Sequence, residues 1–407
     1  MGEQGSREHD QVREAASAQA GTGPGQEPAH GATALGRTHP EERRPEERRP
    51  EGSRPEGRRP VFAGLIGAVA ATVVSLVFII TFIGGLHAPG PRSVPVGIVG
   101  GPAQGSALSS ALNRQAAGGY KVTTYPSDSA ARSAILNRTI DAAVTPGRPR
   151  VPVLLVATAV SPALTRAIVG DVRSAAAAAH SLVAVQDIRP LPSHDPDSLS
   201  QVYFVIALMT PSLLFGSLLV SRISPKLNPL WQLAVIAVYA AIAGGVATAL
   251  ADPAIGALTG APWGIFGIGT LLAFAAAAIA AAVRRWTGGI GYVVLGLLLI
   301  PVGISASGTT LGPNMITQWY ADLGKALLPG SAMPAVQNTV YFNGSNIATP
   351  LLILSAWALA GILAMIMAAF LHPPVPGQKA ESAAENAFSQ LPVERSSGIS
   401  GTVPPRA

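Results

Sequence analysis

The stretch VFAGLIGAVAATVVSLVFIITFIGGL, residues 61–86, decides the class of protein, because its 26 residues include no charged side chain. A helix needs about 20 predominantly apolar residues to cross the hydrocarbon core of a bilayer. The stretch is also longer than the apolar region of a cleaved signal peptide, about 7–15 residues, and sixty residues precede it. We therefore predict a retained transmembrane helix over residues 61–86.

Five further stretches carry no charge. They are Gln201–Val220, Trp231–Ala251, Trp263–Val283, Gly288–Ser307 and Pro350–Leu371. In water, such uniformly apolar helices would have to be buried on every side, so five of them together require lipid. The sequence predicts a membrane all-α bundle of six transmembrane helices. Five of these would form a bundle over residues 200–371, with an outer loop at residues 308–349.

Basic residues near the span ends predict the orientation, since cytoplasmic loops of membrane proteins are enriched in Lys and Arg. They cluster before the first span, between the second and third, and between the fourth and fifth: Arg54, Arg58, Arg59, Arg222, Lys226, Arg284 and Arg285. The turn Asp252–Pro262 has none, and residues 308–349 contain only Lys325. We expect a bacterial plasma-membrane protein with both termini in the cytoplasm and residues 87–199 outside.

The two ends of the chain differ sharply from its middle. Residues 1–60 hold 10 Arg and 11 acidic residues, and proline recurs every fifth position from Pro40 to Pro60, which prevents a continuous helix. We predict disordered cytoplasmic tails at residues 1–60 and 372–407, the first of which could instead carry a recruitment motif. The basic excess outside the first tail is too modest for a nucleic-acid-binding surface. With no cysteine, the chain has no disulfide or thiolate metal site.

Residues 87–199 are predicted to form an extracytoplasmic α/β domain inserted between the first and second spans, because candidate strands and helices alternate along them. Strands are expected at Val94–Val99, Tyr120–Tyr125, Ile140–Val144 and Val151–Val156. Helices are expected at Ser106–Ala117, from Ser127 or Asp128 to Asn137, and at Ser161–His180 with Pro162 in its first turn. Glycines follow the first strand without the G-x-G-x-x-G spacing, so we interpret them as a tight turn rather than a nucleotide site.

The sequence contains no recognisable catalytic or cofactor-binding pattern. It has no phosphate-binding G-x-x-x-x-G-K-[ST] loop, no H-E-x-x-H and no G-x-S-x-G. His194, Asp195 and Asp197 lie together in a proline-rich connector, which is more typical of a solvated linker than of a metal site. No predicted span contains an ionisable residue, which disfavours an ion-driven carrier. We expect no enzyme activity, no cofactor and no metal.

Five residues are candidates for a transport path or hinge: Pro211, Gly267, Pro301, Trp319 and Pro329. Proline frees backbone carbonyls and can kink a helix, and glycine allows close helix approach. Plain helix packing is the alternative interpretation of each. Residues Met315–Leu328 have apolar positions at helical spacing and a Trp-Tyr pair typical of bilayer interfaces, so we expect an interfacial or partly re-entrant helix there, followed by a second short helix.

Two stretches resemble a known family. They are similar to segments of the type-2 ABC-exporter permease superfamily, in its phage-infection-protein-like (YhgE/Pip) branch. The first stretch is YPSDSAARSAILNRTIDAAVTPG (Tyr125–Gly147). The second is WYADLGKALLPGSAMPAVQNTVYFNGSN (Trp319–Asn346), which is followed by a Trp-containing apolar helix. The order of one anchor, an outer domain and five clustered spans is similar too.

The resemblance implies a permease-like subunit that exports a lipid, polymer or drug-like substrate, works with a separate ATPase and forms a homodimer. A short cytoplasmic helix often couples such permeases to their ATPase, and here proline-rich repeats occupy that place. The alternative is a membrane-anchored receptor or scaffold, in which the bundle only presents the outer domain to a secretion, phage or cell-wall partner.

Overall fold

The computed structural model describes residues 59–147, 151–308 and 311–371; both predicted disordered tails lie outside these residues, apart from the last two positions of the first. Within this part, five helical segments are long and apolar enough to cross a membrane: Gly64–Gly84, Ser200–Ile223, Pro229–Ala254, Pro262–Ala306 and Ala348–Leu371. These helices are consistent with a multi-pass membrane protein. The last turn of each of the first four spanning segments, or a turn near it, widens into a short π-helix.

Five such segments are found rather than the six predicted, because the expected spans 263–283 and 288–307 follow one another without a connecting loop and meet at Gly288. This stretch consists of α7 (Pro262–Leu297), a π-helical turn (Leu298–Val302) and α8 (Gly303–Ala306). Gly288 interrupts it with φ 70° and ψ −150°, a backbone conformation that is open essentially to glycine alone. The chain therefore bends at Gly288, three residues after Arg285.

The other membrane helices follow the predicted stretches closely. They are α1 (Arg59–Ile79), α5 (Ser200–Leu218), α6 (Pro229–Ala249) and α11 (Ala348–Leu371). α7 lies at the centre, packed against α5, α6 and α11. Its alanine-rich segment is buried on nearly every side, from Ala275 to Ala282.

Glycines allow the neighbouring helices to approach α7 closely. A Cβ atom on Gly216 of α5 would lie 2.0 Å from the Ala277 carbonyl oxygen. One on Gly361 of α11 would lie 2.8 Å from the Ile279 nitrogen. Backbone atoms of both helices thus meet α7 directly, as is common where small residues join membrane helices.

Between α1 and α5 lies an α/β region with a five-stranded sheet in the order β2-β1-β3-β4-β5. The strands are β1 (Val94–Val99), β2 (Tyr120–Tyr125), β3 (Ala142–Thr145), β4 (Val153–Val156) and β5 (Ala184–Asp187). β1 pairs in parallel with β2 and β3, β3 pairs with β4 in antiparallel orientation, and β5 is parallel to β4. β5 was not anticipated from the sequence.

Three helices cover the sheet: α2 (Pro102–Gln115), α3 (Asp128–Leu136) and α4 (Pro162–Ala178). The helix start predicted at Ser127 or Asp128 is confirmed, since the hydroxyl of Ser127 caps α3 by accepting a hydrogen bond from the Ala130 N–H. Ser161 caps α4 in the same way by accepting from the Leu164 N–H, although no cap was predicted there. The predicted start of α2 at Ser106 was wrong by four residues, because Pro102 occupies a first-turn position where its missing N–H costs nothing.

The segment before α11 contains two short helices, α9 (Gln318–Ala326) and α10 (Leu328–Tyr341). The two helices predicted in this segment are confirmed, but the first begins at Gln318 rather than Met315 and ends at Ala326 rather than Leu328. α9 is amphipathic, with Trp319 68% exposed and Tyr320 buried. α10 is largely buried and packs against α5, α7, α9 and α11.

A candidate functional site between the sheet and the helix bundle

The segment 311–349 completes both hydrophobic cores of the α/β region. On one face of the sheet, Met315 packs with residues of the strands, α2 and α4, including Leu112 and Ile168. On the other face, Phe342 packs with residues of the strands and α3, including Ile135. The α/β region is thus held between the two ends of a segment that belongs to the bundle.

Hydrogen bonds fix the same contact. The side-chain amide of Gln337 in α10 donates to the carbonyl oxygens of Ala159 and Val160, each at 2.8 Å. The hydroxyl of Ser161 donates to the Leu311 carbonyl at 2.8 Å. Gln337 is only 6% exposed, so its two bonds are shielded from water and α10 is tied to the loop before α4.

A cavity of about 390 Å³ lies between the α/β region and the bundle. Its walls come from both parts of the protein. Polar residues that line it are Arg138, Asp141, Gln201, Ser307, Asn314, Lys325, Ser331, Gln337, Asn338, Asn346 and Thr349. Apolar residues from α4, α9, α10 and α11 form the rest, so the cavity offers both kinds of surface.

Arg138 and Asp141 form an ion pair in the cavity wall. Arg138 Nη1 lies 3.9 Å from Asp141 Oδ1, and the two side chains are 16% and 13% exposed. Arg138 Nε donates to Asn338 Oδ1 at 3.1 Å, and its guanidinium carbon lies 5.0 Å from the centre of the Phe342 ring. The arginine therefore joins the α/β region to α10 through a hydrogen bond and a cation–π contact.

The backbone at Arg138 is unusual. Its φ of 60° is left-handed, in the turn that ends α3, where glycine is the common residue. Thr139 N–H closes this turn on the Ala134 carbonyl at 2.9 Å. The turn aims the Arg138 side chain away from the sheet and toward α10.

Burial shapes the electrostatics of this pair. It raises the pKa of Asp141, although the nearby Arg138 charge and the Asn314 amide act in the opposite direction. Burial also lowers the pKa of Arg138, against the attraction of Asp141. Burial thus opposes both charges, and each partner offsets part of that cost.

Two buried polar atoms in the cavity wall have no hydrogen-bond partner in the described part of the protein: Arg138 Nη1 and Gln201 Oε1. Gln201 is in the first turn of α5, which Asp195 caps by accepting bonds from the N–H groups of Leu199 and Ser200 at 2.8 and 3.1 Å. A donor and an acceptor in the cavity wall are therefore buried without a hydrogen bond. Asp195 is 6% exposed, so the interpretation of residues 194–197 as a solvated linker was wrong for this residue.

The comparisons give this chain no family. No family model matches the sequence, and the search of curated proteins finds no match. The resemblance to exporter permeases therefore stays a prediction.

None of the five residues predicted for a path or hinge lines the cavity. Pro211 and Gly267 lie on the exposed sides of α5 and α7, and a Cβ on Gly267 would meet nothing within 4 Å. Trp319 is exposed on α9.

Pro301 and Pro329 are buried on either side of Gly303, whose added Cβ would lie 3.1 Å from Pro329 Cγ. These two prolines therefore mark the contact between the π-helical turn of the long stretch and α10. Their role as a hinge stays a prediction.

The sequence interpretation missed the residues that form the site. Arg138 and Asp141 are separated from Gln337 and Asn338 by about two hundred positions, and only the fold brings them together. One local signal was available, because the adjacent amides Gln337 and Asn338 interrupt an otherwise small and apolar helix. Buried amides of this kind require partners, which here come from the α/β region.

Proposed function

We propose that this chain is a permease-like membrane subunit that exports an amphipathic compound, such as a lipid, polymer or drug-like molecule. The observation that carries the proposal is the cavity of about 390 Å³ between the buried helix α10 and the α/β region. A site with both apolar and polar walls at the end of a membrane bundle suits a molecule that leaves lipid with one polar end.

The proposal includes six membrane crossings, with the stretch Pro262–Ala306 crossing twice. Its 45 residues would extend about 68 Å as a straight helix, more than twice the roughly 30 Å hydrocarbon core. Both of its ends meet the α9–α10 segment. A Cβ on Gly264 would lie 2.5 Å from Thr339 Cγ2, and one on Gly324 would lie 2.0 Å from the Ala306 carbonyl oxygen. A turn at Gly288 accounts for both contacts.

This topology places the basic residues Arg284 and Arg285 at the end of the bundle opposite the α/β region. By the preference of Lys and Arg for the cytoplasmic side, that end faces the cytoplasm, both termini are cytoplasmic and the α/β region is outside the plasma membrane. The cavity then lies where an exported molecule leaves the membrane.

The polar part of the substrate is expected to be a group that both accepts and donates hydrogen bonds. Among the described residues, Arg138 Nη1 lacks a hydrogen-bond acceptor and Gln201 Oε1 lacks a donor. Asp141 already balances the arginine charge. A neutral hydroxyl-bearing group offers both a donor and an acceptor, whereas a free anion would have to compete with Asp141.

A separate ATPase and a second copy of the chain complete the proposal. The sequence has no phosphate-binding loop of its own, so energy from ATP would have to come from another subunit. None of the most apolar window of α1 is buried within the protein, which leaves this helix free to meet lipid or a second copy.

The proposal is tested by a covalent cross-link between α10 and the α/β region. The chain has no cysteine, so cysteines at Val160 and Gln337, which both line the cavity, would be the only thiols. We expect a short bis-maleimide to abolish the ability of the full chain to restore amphipathic-dye efflux and drug tolerance to a deletion strain. The single-cysteine variants, treated with the same reagent, control for simple alkylation. Full efflux by the cross-linked protein would contradict the proposal.

That contradictory result would favour the second candidate, a receptor or scaffold. One observation supports it: a surface groove of about 460 Å³ lies between α2 and α4, with Leu182 at its rim 78% exposed. A scaffold would need the groove but no movement at α10. Its function would survive the cross-link and be lost on substitution of Leu182 by Asp.

A further inference from the structure

A second cavity, of about 350 Å³, lies at the end of the bundle opposite the α/β region. The end of α5 and the following turn contribute Val220, Ser221 and Pro225 to its walls. The bend of α7 contributes Arg284, Arg285 and Trp286, and the end of α11 contributes Ala368. Three helix ends thus surround it, and the described part of the protein contributes only positive charge to its walls.

Within the described part of the chain, the two arginines have no acidic partner. Within the described residues, the ion pairs are Arg138–Asp141 and Asp322–Lys325, so no carboxylate lies within 4 Å of Arg284 or Arg285. Arg285 Nη1 donates to Gln232 Oε1 at 3.3 Å, which directs its guanidinium along the end of α6. Arg284 Nη1 lies beside Gly289, 2.7 Å from the place a Cβ would occupy. An anion bound in the cavity would therefore interact favourably with two half-buried cations that line the same walls.

The surroundings of the cavity favour an anion attached to an apolar chain. Phe370, Leu371, Ile223 and Ile290 are exposed near the same ends of α11, α5 and α7. Trp286 donates its indole N–H to the Ala364 carbonyl at 3.0 Å and remains 38% exposed, as is typical of aromatic residues at the membrane interface. An acyl chain can follow this apolar surface while its headgroup reaches the arginines.

From this geometry we infer that the cavity binds the phosphate of an anionic phospholipid, with Arg284 and Arg285 as its ligands. Guanidinium groups bind phosphate oxygens through paired hydrogen bonds, and basic pockets between membrane helices are suited to lipid headgroups. The inference does not depend on export, since a lipid at this position would hold the bend of α7 against α5 and α11 in a permease or a scaffold alike.

Native mass spectrometry of the full chain tests this inference. The purified protein is titrated with phosphatidylglycerol or phosphatidylcholine in detergent, and the bound lipids are counted. We expect a retained phosphatidylglycerol on the native chain, and about fivefold weaker retention for each of Arg284→Gln and Arg285→Gln. Arg222→Gln is the matched control, because Arg222 is exposed nearby but does not line the cavity.

Two outcomes would overturn the inference. The first is equal phosphatidylglycerol retention by the native chain and by both cavity variants while these stay folded and monodisperse. The second is displacement of the lipid by inorganic phosphate at equal concentration, which would identify a site for a soluble anion. Arg284→Gln guards against misfolding, because this side chain makes no hydrogen bond within the described residues and its removal leaves the Arg285–Gln232 contact in place.

Discussion

Helix α1 and the stretch Pro262–Ala306 are comparably apolar, yet they differ in how much of each is buried within the protein. None of the most apolar window of α1 is buried within the protein, whereas 67% of the corresponding window in Pro262–Ala306 is. α1 touches the rest mainly at its C-terminal end, where the turn Ile80–Gly84 lies against Leu298–Val302. Both are apolar enough to cross a membrane, but close contacts made by small residues decide which one becomes the centre of the bundle.

The largest effect is expected where that packing is tightest. Gly216→Val would drive a side chain into the Ala277 carbonyl, and we expect a loss of about 3 kcal/mol in the free energy of unfolding. Gly67→Val in α1 is the matched control, since a Cβ there meets nothing within 4 Å. Thermal unfolding in detergent measures both. Equal destabilisation by the two substitutions would contradict the difference in packing between α5, which meets α7 closely, and α1.

A buried ion pair helps to attach the α/β region to the bundle, whereas α1 makes no similar polar contact among its described residues. Arg138→Met leaves Asp141 buried without its cation, and we expect a loss of about 3 kcal/mol near neutral pH. The double variant Arg138→Met/Asp141→Asn should recover much of this loss. A double variant as unstable as the single one would show that the arginine stabilises the fold by packing, not charge.

The same variant should respond to pH in a defined direction. Burial raises the pKa of Asp141 above its unfolded value, and removing Arg138 raises it further. The folded state then binds a proton that the unfolded state has released, so stability falls as pH rises from the ordinary carboxyl range to the raised pKa. We expect Arg138→Met to regain stability on acidification, and the double variant to lack this recovery. Unfolding midpoints measured across pH test it.

A smaller effect is expected at the bend of the long stretch. Gly288→Ala forces a Cβ into a glycine-only conformation and should cost about 2 kcal/mol. Gly296→Ala, in the same helix with nothing within 4 Å of the added Cβ, should be neutral or slightly stabilising. Comparable unfolding temperatures for the two variants would mean that α7 is straight in the protein.

The smallest effect is expected at the contact that anchors α1. Gly85→Ala places a Cβ 2.5 Å from the Tyr320 ring, whose hydroxyl lies 2.5 Å from that of Ser305. The ring must shift, and we expect a cost of about 1 kcal/mol. Tyr320→Leu should relieve the clash, so that the double variant is no less stable than Tyr320→Leu alone. An additive loss in the unfolding measurements would contradict that contact.

Local features of the fold could be predicted from the sequence, and long-range contacts could not. β1 and β2 lie at the predicted residues, and Ser127 caps its helix, because these features depend on neighbouring residues. The short strand β5, with an exposed and polar pattern, gave no signal.

The candidate site was missed for a related reason. Met315 and Phe342 read as ordinary apolar residues of a loop, yet each completes a core on a different face of a sheet that lies far away in the sequence. Likewise, Arg138 was one of many surface charges until the structure placed it beside Asn338. Composition predicts whether a segment suits lipid or water, but it does not predict which other segment it packs against.

Cysteine accessibility in cells shows whether the chain turns at Gly288 on the side of the membrane opposite the α/β region. The cysteine-free chain allows single thiols at Ser129, exposed on α3, and at Thr287, exposed beside the bend. With a membrane-impermeant maleimide, we expect Ser129→Cys to be labelled in intact cells and Thr287→Cys only after permeabilisation. Labelling of both from the same side of the membrane would contradict the six-crossing account.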